Sequence, residues 1–103
     1  MKPPLPFFKT GHARVLTLEL QSKTRDCWAL SYAYLLSLHY DVTGSIEIQF
    51  SSAKVVIEGQ QLKSLYDALK EQTVASIREA DLESEQSTGG VTFVQSIAVN
   101  PTA

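Results

Sequence analysis

The residues from Trp28 to Tyr40, WALSYAYLLSLHY, carry a large apolar or aromatic group at every even position. Trp28, Leu30, Tyr32, Tyr34, Leu36, Leu38 and Tyr40 alternate with Ala29, Ser31, Ala33, Leu35, Ser37 and His39. A period of two describes a strand with one heavy and one light face. A helix is the competing reading, since Ala, Leu and Ser tolerate one, but three tyrosines and a tryptophan in alternation favour the strand. The run is longer than most strands, and its LLSL irregularity predicts a bend or bulge near Leu35 to Ser37. A strand of this kind buries its heavy face only against a second layer, so the rest of the chain has to supply neighbours and a cover.

The neighbours are legible on both sides. His12 to Leu20 alternates Leu16, Leu18 and Leu20 with Val15, Thr17 and Glu19, a first strand that the polar QSKTRD connects to the central run. Before it, Pro3, Pro4 and Pro6 favour an extended arm without ladder hydrogen bonds over residues 1–11, laid over the domain, with Phe7 and Phe8 as its first groups to bury. A proline-rich ligand for an aromatic groove is the rival reading of that arm. After the run, DVTGS has the composition of a tight turn. Ile46, Ile48 and Phe50 then alternate with Glu47, Gln49 and Ser51, and Val55 and Ile57 continue the apolar set until Gly59 interrupts it. Three strands joined by short turns predict an antiparallel meander.

Beyond Gly59 the period changes. Leu62, Leu65, Tyr66, Leu69, Val74 and Ile77 fall along one side of a helix, predicted over Gln60 to Ala80 and ~30 Å long at 1.5 Å per residue. Gly59 would be its N-cap, and Lys63 and Asp67 can pair at a spacing of four. Thr73-Val74 is its weak spot, and Asp81, Glu83 and Glu85 are unfavourable beside the negative end of its dipole. Asp81 to Gly90 reads as a flexible acidic loop, and VTFVQSIAV as a fifth strand in which Gln95 marks a bulge or an edge position.

These elements predict one domain over 1–103, of the α+β class: a two-layer sandwich with a mostly antiparallel five-stranded sheet and one long helix on one face, in the order β-β-β-β-α-β. A helix ~10 Å wide covers two or three strands spaced ~4.8 Å apart. The remaining apolar face calls for the N-terminal arm or a second subunit, and the small size of a 103-residue core favours a homodimer through leftover sheet face or an edge strand.

Composition narrows the chemistry. The chain is 44% hydrophobic and 19% charged, with no apolar run near the ~20 residues of a membrane-spanning helix. Its start carries prolines in place of a signal-peptide core, and its single cysteine, Cys27, fits a reducing compartment, so a cytoplasmic protein is expected. A net charge of -2 gives no positive field for nucleic acid. Base stacking on Tyr32 and Tyr34 is the form nucleic-acid binding would take, yet Arg14, Lys23 and Arg25 make no dense patch. A Cys27–His39 dyad fails on distance, ~40 Å along an unbent strand, and a Cys27–His12 pair depends on a slipped register. No metal-ligand spacing and no phosphate-binding glycine pattern occurs, so no cofactor is expected; the EGQQ stretch at Glu58 to Gln61 offers only the N–H groups of any helix start.

The preferred function is therefore a non-enzymatic binding or assembly module, with a second copy or another protein as partner. The alternative is a small-ligand or enzymatic domain whose pocket lies between helix and sheet, lined by Trp28, Tyr32, Tyr34 and Tyr66. Core packing is the plain explanation of those four aromatics.

Overall fold

The alternating run does not stay in one sheet. In a computed structural model, which describes residues 7–24, 26–80 and 92–101, it breaks at a 3₁₀ turn, Tyr32–Tyr34, and its two halves enter different sheets. Ser31 stops the first half: its hydroxyl accepts the Ala33 N–H at 3.2 Å and caps the turn. The described residues form eight strands: β1 (Phe8–Thr10), β2 (Thr17–Gln21), β3 (Cys27–Ser31), β4 (Leu35–Tyr40), β5 (Ile46–Phe50), β6 (Ala53–Gln60), β7 (Val74–Arg78) and β8 (Phe93–Pro101). One helix, α1 (Lys63–Lys70), separates β6 from β7.

The expected single five-stranded sheet under a long helix is replaced by two four-stranded sheets, ordered β1-β7-β2-β3 and β4-β5-β6-β8. The first is mixed, because β2 and β7 run parallel, and the second is antiparallel throughout. One continuous core joins them: Leu18, Leu20, Val74 and Ile77 from the first sheet, and Ile46, Ile48, Phe50, Val55 and Ile57 from the second, all fully buried. A strand segment that leaves one sheet and continues in another is how packed sheets make a corner. Here β3, the turn and β4 are that corner, fastened by Tyr32 N–H to the Leu16 carbonyl at 3.1 Å and Ser51 N–H to the Tyr34 carbonyl at 2.9 Å.

The helix is the largest correction. It spans eight residues instead of the expected Gln60 to Ala80, and Val74–Arg78 is a strand between β1 and β2. Gln72, at φ 59°, turns the chain out of the helix in the left-handed conformation that typically ends one. The spacing of Val74 and Ile77 misleads because β7 is bulged. Phe8 faces Ile77 and Lys9 faces Ser76, but Thr10 faces Val74, so Ala75 is an extra residue and both apolar groups return to one face three positions apart. Three is also a helical spacing. Leu62, Leu65 and Leu69 are buried as the helical pattern requires, and α1 packs against β4 of one sheet and β7 of the other.

Gly59 is not a helix cap. It lies inside β6, where a Cβ would run into the Phe93 carbonyl oxygen, and the helix is preceded by Leu62 with no side-chain cap. The expected EGQQ helix start is thereby a strand end.

Other local expectations hold. The register of β4 on β5 slips between Leu35 and Ser37, and β8 carries Gln95 as an unpaired, exposed residue on an edge strand. DVTGS is the tight β4–β5 connection, with Gly44 at φ 92° and the Asp41 carboxylate accepting the Thr43 N–H at 2.9 Å. Lys63 and Asp67 pair at 2.8 Å. Of the N-terminal arm, Phe7 is buried against Phe93, their rings at 5.1 Å, but Phe8–Thr10 pair with β7 where no ladder bonds were expected, the three prolines all lying before them; residues 1–6 and the acidic segment 81–90 lie outside the described residues.

Candidate functional site

The corner sets which apolar groups the core cannot reach. Among the described residues, the exposed large apolar side chains are Leu16, Trp28, Tyr34, Leu36 and Val42, and Trp28, Tyr34 and Leu36 belong to the β3–turn–β4 ribbon. Leu16 is hydrogen-bonded to that ribbon through its carbonyl. Trp28 stands opposite the buried Leu20, and Leu30 opposite the buried Leu18, so both lie on the core-facing side of the first sheet. They are nevertheless at its edge, and Trp28 remains 40% exposed. Tyr34 is turned out by the 3₁₀ turn. Leu36 is turned out by the bulge, which hands the inward positions to Leu35, Leu38 and Tyr40 opposite Phe50, Ile48 and Ile46.

β3 is an edge in the hydrogen-bonding sense as well. Ser22 N–H donates to the Asp26 carbonyl at 2.8 Å, and Tyr32 N–H to the Leu16 carbonyl at 3.1 Å, one at each end of the β2–β3 ladder. In an antiparallel pair, residues alternate between those that exchange ladder bonds and those whose peptide groups point away. The pairs Leu20–Trp28 and Leu18–Leu30 are therefore the bonded ones. Ala29 and Ser31 direct their N–H and C=O groups to the open side of the sheet.

The four sheet edges are not equally protected. β1 is three residues long, carries Lys9 and is opposed to a bulge; β4 is bulged at Leu35–Ser37; β8 is bulged at Gln95 and ends on Pro101. Short length, charge, bulges and proline are the devices that keep edge strands from pairing with other chains. Among the described edges, β3 alone has five residues in regular register with no charge, proline or bulge.

The four aromatics expected to line a pocket go to different places. Trp28 is on the β3 edge, Tyr34 is exposed at the corner, and Tyr66 sits on α1 with its ring 5.3 Å from that of Tyr40. Tyr32 is buried, its hydroxyl donating to the Val74 carbonyl at 2.7 Å, and desolvation pushes its pKa up to about 12. No ring contact joins any two of the four. Tyr66 instead lies under two ammonium groups, Lys70 at 5.1 Å and Lys63 at 5.5 Å from the ring centre. The Lys63 hydrogen bond holds the exposed Asp67 carboxyl below its ordinary pKa and raises that of Lys63.

Cys27 and His39 are exposed on strands of different sheets, His12 is exposed before β2, and among the described residues no three His, Cys, Asp or Glu side chains gather as metal ligands. Among those residues, no helix is long and apolar enough to cross a membrane. No protein-family model matches the chain, and neither a curated protein nor a solved structure matches it.

The outward peptide groups of Ala29 and Ser31 were invisible in the sequence. Their signal is negative, the absence of charge and proline from CWALS, and it acquires meaning only once β3 is known to be an edge.

Proposed function

We propose that this chain is a non-enzymatic binding or assembly module, whose working surface is the open edge of β3 and whose mode of binding is the addition of an extended strand. The observation that carries this reading is the unprotected β3 edge, with peptide groups of Ala29 and Ser31 directed outward beside the half-exposed indole of Trp28. Strand addition draws affinity from main-chain hydrogen bonds and specificity from the side chains that alternate along the edge. The indole supplies that second element: a large rigid group, uncovered on one side, able to clasp an apolar residue of the incoming strand. A reducing, cytoplasmic setting agrees with a single cysteine exposed on the same strand.

Amide hydrogen exchange tests the reading. A synthetic peptide of the sequence DCWALSY, titrated into the labelled protein, is expected to slow exchange at Ala29 and Ser31, while Trp28 and Leu30 are already protected by β2. Unchanged exchange at Ala29 and Ser31, at every peptide and protein concentration, would remove strand addition from consideration.

A further inference from the structure

We infer that the strand added to β3 is β3 of a second copy, paired antiparallel about a two-fold axis through Ala29. This identification rests on the strand-addition reading above and names its occupant.

The register follows from the geometry of the edge. Cys27–Ser31 has Ala29 at its centre, so a two-fold through that residue pairs the five-residue strand over its whole length. Ala29 then faces Ala29 of the other copy, and Cys27 faces Ser31. The peptide groups of Ala29 point outward, so the two central alanines exchange N–H···O=C bonds reciprocally. The even residues fall in the intervening positions, where side chains approach most closely: Trp28 of each copy meets Leu30 of the other, on the core-facing side. Each half-exposed indole is covered by a half-buried leucine, twice by symmetry.

Chemistry agrees with a partner of the same sequence. An isologous interface is one patch meeting itself, so any charge on the axis meets its like. β3 has none, and Ala29 at the axis is small and faces solvent beside Glu19 of β2. The product is one continuous sheet of eight strands, β1-β7-β2-β3 followed by the same four in reverse, with β1 as the edge at both ends. Both remaining edges then carry Lys9.

The solution mass of the full chain, with two variants, tests the inference. The wild-type chain is expected at the mass of two chains at high micromolar concentration. Ala29→Lys should give one chain at the same concentration that still unfolds in one cooperative thermal transition, because its ammonium lies opposite Glu19 within each copy but opposite its twin across the axis. Ala29→Cys in a Cys27→Ser background should form a disulfide-linked dimer on oxidation, since the two central residues lie ~5.5 Å apart between Cα atoms. A wild-type mass of one chain, a dimer that survives Ala29→Lys, or failure of the cysteine variant to crosslink would each overturn the symmetric pairing. If the mass stays at one chain while the DCWALSY peptide still slows exchange at Ala29, strand addition stands and the second copy is the wrong occupant.

Discussion

The hydroxyl of Tyr32 donates a 2.7 Å hydrogen bond to the carbonyl of Val74, joining the corner of the β3–β4 ribbon to the first residue of β7. The two residues are 42 apart in sequence, and the bond is buried. It ties the point where the chain changes sheets to the strand that the helix delivers.

Tyr32→Phe keeps the ring and removes the donor, leaving the Val74 carbonyl short of a partner. The expected loss is about 1–2 kcal/mol at neutral pH, read from urea denaturation. The alkaline limb discriminates further. The folded pKa of about 12 lies above the ordinary 10.0, so the folded chain keeps this proton over a range where the unfolded chain has lost it. That stabilisation is whole below pH 10 and is lost as pH rises through about 12. The melting temperature of the wild type should fall more steeply than that of Tyr32→Phe across this window; parallel profiles would refute the assignment.

Glu79 ties the β2–β3 connection to β8 with one carboxylate. Its Oε1 accepts the Lys23 N–H at 2.9 Å and the Ser22 hydroxyl at 3.4 Å, and its Oε2 accepts the Ile97 N–H at 2.7 Å. Glu79→Ala should cost about 2–3 kcal/mol, and Glu79→Gln, which retains one acceptor oxygen, about 1 kcal/mol. Faster amide exchange confined to Lys23 and Ile97 is the local signature to look for.

Two glycines separate crowding from backbone strain. Gly59→Ala drives a Cβ into the Phe93 carbonyl and must spread β6 from β8, an expected loss of about 3 kcal/mol or more. Gly44→Ala has open space around it but a φ of 92°, for about 1 kcal/mol. Equal midpoints for the two variants in chemical denaturation would contradict this ordering.

Gln72→Gly should stabilise the chain by about 0.5–1 kcal/mol, because φ 59° is free of penalty for glycine and strained for glutamine. A lower denaturation midpoint would show that the Gln72 side chain contributes more than its backbone strain costs.

Sequence patterning carried the local half of this fold. The β4–β5–β6 meander, its DVTGS turn, the irregularities at Leu35–Ser37 and Gln95 and the Lys63–Asp67 pair were all legible, because each depends on residues a few positions apart. Two sheets in place of one were not. The run from Trp28 to Tyr40 has no glycine or proline to announce the break, and the Ser31 cap that makes it resembles any light-face serine. The bulge at Ala75 gave a strand the spacing of a helix. Trp28 was expected to line a pocket between helix and sheet, and its place at a sheet edge was not legible, since edge position follows from strand order and strand order from pairings such as Glu19 with Ser76.

That last pairing also orders events in time. The meander closes through neighbours in sequence, whereas β2 finds β7 only after a loop of more than half the chain has closed, and contacts of such wide separation form slowly. Until Val74–Arg78 slots between Phe8–Thr10 and Thr17–Gln21, the hairpin of β2 and β3 is open on both flanks. A refolding chain in which local contacts form first therefore has the β4–β5–β6 meander in place while the first sheet awaits β7. The rate of that insertion sets how long an apolar hairpin stands exposed to other chains.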